Sequence, residues 1–292
     1  MKKLFLLVAV SLLVASCSKE KVQNPTTRFA KVNVHFNDFT ITQDDFPSKN
    51  GVDPSSYENV GAMTLAFYNA AGTEVYKTTQ YKNDGSTYTT FGSFTANLQV
   101  GTYTMVALGY AYTDGDVFTL TSPTSAAFTS ERPRETFCAT QSVTVTSANP
   151  LDLNVTLNRI VAALTIQSTD TRPAGIAKIR TTYAKGGKSF NPTTGLATVD
   201  AGFSQTNNPS AEIGTTIRVT SFPFLLTDEE DIDITIEVLD DADNVLFTHT
   251  QPSVPFKRNR ITTLRGPLFS APTSSASFQL ETDWLPGSEI TF

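Results

Sequence analysis

Only two histidines, His35 and His249, are available for acid–base chemistry near neutral pH, where imidazole titrates. Each lies in a run of alternating apolar and polar residues, and the two are far apart in the sequence. A catalytic triad needs converging partner groups, and a zinc site needs cysteine or histidine ligands at close spacing. The sequence offers neither, so it predicts no catalytic residue, no metal site, no cofactor and no enzymatic activity.

Three further segments are similar to ligand-binding motifs or carry concentrated charge. Lys185–Ser189 is similar to the end of a phosphate-binding loop, but Thr182 occupies the position of the first glycine, which favours a simple turn. Asp228–Asp233 could attract Ca²⁺, but it lacks the glycine and final glutamate of an EF-hand loop, which favours a solvated loop. The basic run Lys257–Arg260 is predicted to be a solvated edge strand or a partner contact, because basic residues on an edge discourage unwanted pairing.

The N-terminal residues carry a clear chemical signal. A basic start is followed by an apolar run over residues 4–14 and by small residues leading into Cys17, a pattern typical of a secretory signal peptide. The apolar run is too short to cross a bilayer of about 30 Å as a helix. The segment resembles the lipobox of bacterial lipoproteins, which implies that residues 1–16 are removed and that Cys17 is acylated. An ordinary signal peptide with a chance cysteine is the alternative.

The second cysteine, Cys138, has no partner for an intrachain disulfide if Cys17 carries lipid. Its neighbours in Thr136–Thr140 have a strand-like pattern, so we expect a small, buried, apolar residue. Residues 17–28 show no apolar period and are predicted to form a solvated, lipidated tether.

Composition favours an acidic protein rich in β-structure. The 292 residues carry a net charge of −6, which argues against nucleic acid as a partner, because nucleic-acid binding calls for a basic face. Only 17% of the residues are charged, and phenylalanine and β-branched residues are frequent, as pleated, half-buried strands require. The length favours two domains of about 100–200 residues each.

Strand patterns run through almost the whole chain. Lys31–Phe39 alternates apolar and polar residues with period two. The clearest hairpin joins Ile232–Leu239 to Val245–His249 through the acidic turn Asp240–Asn244. No segment has a convincing helical period. The sequence therefore predicts an all-β protein built from β-sandwiches.

The chain divides into two halves near its middle. The second half begins near Pro150, and a break in alternation at Asn158-Arg159 lies close to the join. We therefore predict two tandem β-sandwich domains, residues 29–150 and residues 151–292.

Soft patterns of apolar and turn residues carry a resemblance to a known family; they are the lipobox at Cys17, Met63–Tyr68, Leu98–Ala107, Leu157–Ile166 and Val254–Gly266. With these patterns the chain resembles the fimbrillin superfamily of Bacteroidota, which builds type V pili. It is most similar to the fimbrial anchor and minor-subunit lipoproteins. The resemblance implies two transthyretin-like β-sandwich domains, attachment to the outer membrane by the lipid on Cys17, and display at the cell surface in a fimbrium. The implied partners are other fimbrial subunits, which assemble through strand exchange or groove contacts.

The spacing of arginines bears on the kind of subunit. In such pili a stem subunit loses its first strand to an arginine-directed protease, and the open groove accepts a neighbour's strand by β-augmentation. Here the first strand is predicted over Phe29–Phe39, Arg28 precedes it, and the next arginine is Arg132. Cleavage at Arg28, the candidate protease site, would remove the lipid but leave the strand. We therefore expect a subunit that anchors the fimbria or regulates its length.

Two other functions stay open. The chain could be a tip or stem adhesin assembled by strand exchange. It could also be a surface glycan-binding lipoprotein in which aromatic rings stack on sugars, although aromatic residues in β-proteins mostly belong to the core or to cross-strand pairs. The candidate rings are Tyr81, Tyr88, Tyr110, Tyr112 and Trp284.

Overall fold

The computed structural model describes residues 28–40, 57–84, 88–113, 115, 117–129, 132–147, 149–209, 211–270 and 279–281. Over these residues the protein consists of nineteen strands in four sheets and contains no helix. The described residues accordingly include no helix of the length and apolar character that a membrane span needs. The predicted all-β class is confirmed.

In chain order the strands are β1 (Phe29–Thr40), β2 (Ala62–Tyr68), β3 (Glu74–Tyr81), β4 (Ser93–Gln99), β5 (Gly101–Tyr110), β6 (Phe118–Ser122), β7 (Ser125–Phe128), β8 (Thr136–Val145), β9 (Leu151–Arg159), β10 (Ala163–Ser168), β11 (Lys178–Tyr183), β12 (Ser189–Asn191), β13 (Leu196–Ala197), β14 (Phe203–Asn207), β15 (Arg218–Ser221), β16 (Glu229–Leu239), β17 (Val245–Lys257), β18 (Ile261–Gly266) and β19 (Gln279–Glu281).

The first half of the chain forms one seven-stranded sheet in the order β3-β2-β5-β8-β9-β1-β4. The sheet curls on itself, because a single buried cluster receives side chains from β1, β2, β4, β5, β8 and β9. The curl brings the two edge strands together: Tyr76 of β3 donates from its hydroxyl to the carbonyl of Thr95 of β4 at 3.0 Å. Burial alternates along β4, as the two-residue period of a strand requires.

The second half is a sandwich of two four-stranded sheets. Their orders are β15-β10-β18-β19 and β14-β11-β16-β17, and one buried cluster lies between them. Tyr183 of β11 stacks on Phe203 of β14, with ring centroids 4.6 Å apart. The hydroxyls of Tyr183 and Ser221 form a buried hydrogen bond that links the two sheets.

A fourth sheet, β13-β12-β7-β6, takes two strands from each half. Phe190 of β12 pairs with Ala126 of β7. A third buried cluster contains side chains of both halves, among them Tyr110, Phe190 and Phe224. The rings of Phe190 and Phe224 stack with centroids 4.5 Å apart. The curled sheet of the first half and the sandwich of the second half therefore share a buried layer at their junction. The strand patterns did not predict this shared layer.

Strand pairing bears on the predicted division after residue 150. Leu151–Arg159 forms β9, which pairs in parallel with β1 and antiparallel with β8. By sheet membership, the first half therefore extends nine residues beyond the predicted boundary. The break in alternation at Asn158-Arg159 lies closer to the end of β9 than the predicted boundary after residue 150 does.

The predicted hairpin near the C-terminal end of the chain is confirmed. β16 and β17 pair antiparallel, and burial alternates along β16. One carboxylate oxygen of Asp240 accepts from the amides of Ala242 and Asn244, both at 2.9 Å, which fixes the turn. β16 begins earlier than expected, at Glu229, so most of the acidic run Asp228–Asp233 is strand. The prediction of a loop there was wrong, because exposed acids can occupy the solvent face of a strand.

Candidate functional site

The first strand lies inside the sheet. β1 pairs antiparallel with β4 from Phe29 opposite Gln99 to His35 opposite Ser93. On its other side it pairs in parallel with β9. The chain's own β1 therefore fills the position between β9 and β4, and both of its hydrogen-bonding edges have a partner strand.

Side chains of β1 supply part of the first core. Ala30, Val32, Val34 and Phe36 are at most 4% exposed and belong to the cluster inside the curled sheet. The rings of Phe36 and Phe94 pack together with their centroids 4.9 Å apart. Each fully buried valine or phenylalanine contributes about 1.5–3 kcal/mol relative to exposure. β1 therefore contributes to the first half in two ways: its side chains fill the core, and its backbone pairs with β9 and β4.

The candidate protease site, Arg28, lies just before β1 and is exposed. Its carbonyl oxygen accepts from the amide of Val100 at 3.0 Å. A cut after Arg28 would leave the whole of β1 in place. The predicted signal residues 1–16, the predicted acylation site Cys17 and residues 17–27 of the predicted tether lie outside the described residues.

The start of β1 lies at one end of the first sheet. Phe29 is opposite Gln99, the last residue of β4, and parallel β9 begins at Leu151 opposite Val32. Phe29 is 53% exposed there. The described chain therefore enters the first sheet at this end.

The opposite end of the same sheet meets the second half. β8 begins and β9 ends there, with Phe137 opposite Arg159. The amide of Ile160 donates to the carbonyl of Thr136 at 3.0 Å as the chain passes into β10. Arg28 and the second half consequently lie at opposite ends of the first sheet.

A buried polar network lies at the junction. Arg159 and Glu135 are 5% and 4% exposed and form an ion pair: one Glu135 oxygen accepts from Arg159 Nε at 2.8 Å and from Nη2 at 2.7 Å. The Tyr57 hydroxyl donates to the same oxygen at 2.8 Å. Arg159 Nη1 donates to the Asn259 side-chain oxygen at 2.9 Å, and the guanidinium lies 4.9 Å from the ring centroid of Phe137. The network thus ties β8 and β9 of the first half to the β17–β18 turn of the second.

The basic run that the sequence singled out belongs to this turn. Asn259 has a left-handed backbone with φ of 61°, and its amide donates to the carbonyl of Val161 at 2.8 Å. Arg258 pairs with Asp228 at 2.7 Å, and Lys257 pairs with Glu229. Much of this basic charge is therefore matched within the chain. The sequence could not reveal the network, because its members are separated by 24 to 102 residues and only the fold brings them together.

A cavity of about 530 Å³ lies beside the same turn. It is bounded by Cys138, the Pro192–Gly195 turn and the basic residues Lys257–Arg260. The Cys138 thiol contacts the carbonyl of Pro192 at 3.3 Å, and burial raises its pKa to about 12. Cys138 is a free, buried residue, as expected.

The two histidines do not converge. His35 lies in β1, where its Nδ1 is 3.1 Å from the Ser93 hydroxyl. His249 lies in β17, in another sheet, and its Nε2 is 3.0 Å from the carbonyl of Leu268. Within the described ranges, no group of three or more histidine, cysteine, aspartate or glutamate side chains is arranged to hold a metal ion.

The glycine-containing segment Lys185–Ser189 is a turn between strands. Gly186 has φ of 78°, and a Cβ atom there would lie 2.6 Å from the carbonyl oxygen of Phe224. Gly187 forms an isolated bridge with Phe224. Glycine is required here by the close approach of a backbone carbonyl.

The aromatic candidates for sugar stacking have different environments. Tyr110 is 3% exposed and packs in the shared layer, which excludes it from a surface site. Tyr81 and Tyr112 form a pair with centroids 4.7 Å apart, and Tyr88 lines a groove beside β3 and β4. Trp284 lies outside the described residues.

Buried tyrosines make stability depend on alkaline pH. Burial, and to a smaller extent Glu135, raises the pKa of Tyr57 to about 12; burial and then Glu74 raise the pKa of Tyr68 to about 12. In the unfolded chain these phenols ionise near pH 10. Between about pH 10 and 12 the unfolded state therefore releases protons that the folded state keeps, so stability is expected to fall as pH rises through this window.

Thermal unfolding measured from pH 8 to pH 12 checks this expectation. Tyr68→Phe is the informative variant, because the Tyr68 hydroxyl has no hydrogen-bond partner among the described residues. Below pH 10 the variant should be at least as stable as the parent, because it removes a buried hydroxyl without a partner, and above pH 10 it should lose less stability. Parallel curves for the two proteins would contradict the assignment.

The fold, a curled sheet that adjoins a sandwich, is similar to that of several solved structures of Bacteroidales proteins. A candidate adhesin from Bacteroides ovatus aligns with a TM-score of 0.54 at 10% identity, covering 89% of this chain and 97% of that chain. The fimbrial anchor protein Mfa2 from Porphyromonas gingivalis aligns with a TM-score of 0.51 at 11% identity, covering 87% of this chain and 97% of that chain. A candidate polysaccharide-binding protein (DUF1812) from Bacteroides thetaiotaomicron aligns with a TM-score of 0.51 at 11% identity, covering 82% of this chain and 92% of that chain. At these identities the likeness concerns the fold alone.

The chain belongs to DUF6562, a family of unknown function, whose model matches residues 63–284. The matched region starts in β2, so it leaves out β1, and it continues through the described strands of the second half. No curated protein sequence matches this chain.

Proposed function

We propose that this protein is a lipid-anchored fimbrial subunit that keeps its own first strand and holds a fimbria, or limits its length, at the outer membrane. The observation that carries the proposal is β1, which lies between β9 and β4 and pairs with both. A subunit whose first-strand position is already filled has no vacant groove for a neighbour's strand at that place. Such a subunit suits the end of a fibre better than its stem.

The direction of the chain supports the same proposal. The tether joins the first half at the end remote from the second half. Residues 18–28 can span at most about 40 Å when extended. With lipid on Cys17, the first half would lie near the membrane and the second half would face outward, where other fimbrial subunits would bind.

The position of Arg28 also supports an anchor. An arginine-directed protease that cuts there releases the folded body with β1 intact, so cleavage would detach the subunit without opening its groove. The fold shared with Mfa2 is compatible with this role, but adhesins share that fold too. A tip or stem adhesin assembled by strand exchange is therefore the alternative.

Mass spectrometry of the protein isolated from its own cells tests the proposal. We expect a mature species that begins at an acylated Cys17 and retains residues 29–40. A mature species that begins after Thr40 would sink the anchor assignment and support a stem subunit. A species that begins at Phe29 would indicate regulated release from the membrane.

Replacing the acylated residue adds a functional readout. Cys17→Ser should move the protein out of the outer-membrane fraction and release fimbriae into the medium, because diacyl anchoring provides the stable attachment. Thr26→Ala, in the same tether, should change neither the membrane fraction of the protein nor the attachment of fimbriae. Fimbriae that stay attached in the Cys17→Ser strain would contradict the anchoring role.

A further inference from the structure

A groove follows the line where the curled sheet nearly closes. β3 and β4 are the two edges of the seven-stranded sheet, and side chains rather than a main-chain ladder connect them. Gln80 Nε2 donates to the carbonyl of Ser93 at 2.7 Å, and the amide of Gly92 donates to Gln80 Oε1 at 2.8 Å. Tyr76 donates to the carbonyl of Thr95 at 3.0 Å. A groove of about 390 Å³ remains along this seam.

The lining of the groove is aromatic and hydroxylated. It includes the rings of Tyr76 and Tyr88, the imidazole of His35, and several threonines such as Thr78 and Thr90. Among the described residues that line it, none is aspartate, glutamate, lysine or arginine. Such residues offer aromatic rings and hydrogen-bonding hydroxyls, and the volume of the groove lies within the range of about 300–1,000 Å³ that is typical of small-molecule sites.

The aromatic rings are held in place before any ligand arrives. Tyr88 donates from its hydroxyl to the carbonyl of Tyr81 at 2.8 Å and packs against Phe91 with centroids 5.6 Å apart. Tyr76 is fixed by its bond to Thr95. A ligand that stacks on these rings therefore has little side-chain motion to arrest, which lowers the entropic cost of binding.

We propose that this groove binds a short neutral glycan, a function that goes beyond anchoring. A sugar ring presents an apolar face for an aromatic side chain and a rim of hydroxyls for threonine and imidazole. Acidic glycans are disfavoured, because the chain carries a net charge of −6 and the described lining supplies no lysine or arginine.

An extended peptide is a less suitable ligand. A strand that added to the β4 edge would need its outward carbonyls, yet Gln80 and Tyr76 already donate to those of Ser93 and Thr95. Peptide binding by β-augmentation depends on such main-chain bonds. The larger cavity beside Lys257–Arg260 is also less suitable, because Lys257 and Arg258 are already paired with acids.

The full chain, purified in detergent and applied to an array of neutral and acidic glycans, tests the proposal. We expect signals from neutral glycans, and calorimetry with the strongest of them should show binding. Tyr88→Ala should weaken that binding about tenfold or more, whereas Tyr88→Phe should retain it, because the ring supplies the stacking surface. Tyr112→Ala, an aromatic truncation outside the groove lining, should bind like the parent.

Several results would overturn the proposal: no neutral glycan bound, binding confined to acidic glycans or to extended peptides, or equal affinity of Tyr88→Ala and parent. Thermal unfolding of each variant verifies that it is folded. This outcome is independent of the anchoring proposal, because the assay requires neither the lipid nor an intact fimbria. Glycan binding by the purified full chain, combined with a cellular species that begins after Thr40, would refute the anchor and leave the glycan assignment of the full chain standing.

Discussion

A chain that lacks residues 29–40 is expected to lose the fold of its first half. The deletion leaves the edges of β9 and β4 without a partner and opens the core that Val32, Val34 and Phe36 fill. Each of these three side chains contributes about 1.5–3 kcal/mol by burial, while a whole domain is stable by only about 5–15 kcal/mol. Loss of β1 therefore removes much of the stability available.

A synthetic peptide with the sequence of residues 29–40 should restore the fold of the deleted chain. Amide hydrogen exchange checks this, since restored pairing would protect the amides of β4 and β9. A peptide with Val34→Asp should fail, because it buries a charge in the core, and a peptide with Lys31→Glu should succeed, because residue 31 is exposed. Equal rescue by both peptides would contradict specific insertion.

Replacing Arg159 with methionine should destabilise the protein by about 3–5 kcal/mol, because it leaves the Glu135 carboxylate buried without its cation. The side chain of methionine fills similar space but cannot donate to Glu135, Tyr57 or Asn259. Chemical unfolding measures the loss. The double variant Arg159→Met/Glu135→Leu should be more stable than Arg159→Met alone, since both charges are then absent.

An exposed ion pair provides the control for the Arg159 experiment. Lys257→Met breaks the pair with Glu229, and both side chains are more than half exposed. Surface pairs contribute about 0–1 kcal/mol, so this variant should unfold close to the parent. Similar losses for Lys257→Met and Arg159→Met would show that burial does not govern the cost.

The local pattern of apolar and polar residues was sufficient to predict a strand that has one buried face. β1 and the β16–β17 hairpin follow from alternation and turn residues alone, since the side-chain period of a strand is two. The burial of Cys138 follows from its strand-like neighbours in the same way. Each of these features depends on residues close in the sequence.

Features built from distant residues could not be predicted in this way. Glu135 and Arg159 look like surface residues in a linear sequence, because lone charges are rarely buried, and only the fold brings them together. The pairing of β7 with β12 likewise joins short strands from different halves. The groove between β3 and β4 arises because a sheet curls, which a strand pattern does not encode.

The arrangement of β1 has a mechanical consequence. In the proposed anchor, a pull on residues before Phe29 would enter the body at that residue, and because the second half lies at the far end of the sheet, the load would run along the axis of β1. Both ladders beside β1 then bear the force in shear, with many hydrogen bonds loaded at once instead of opened one by one. A strand held on two sides and pulled lengthwise would suit the coupling between membrane and fibre that the proposed anchor requires.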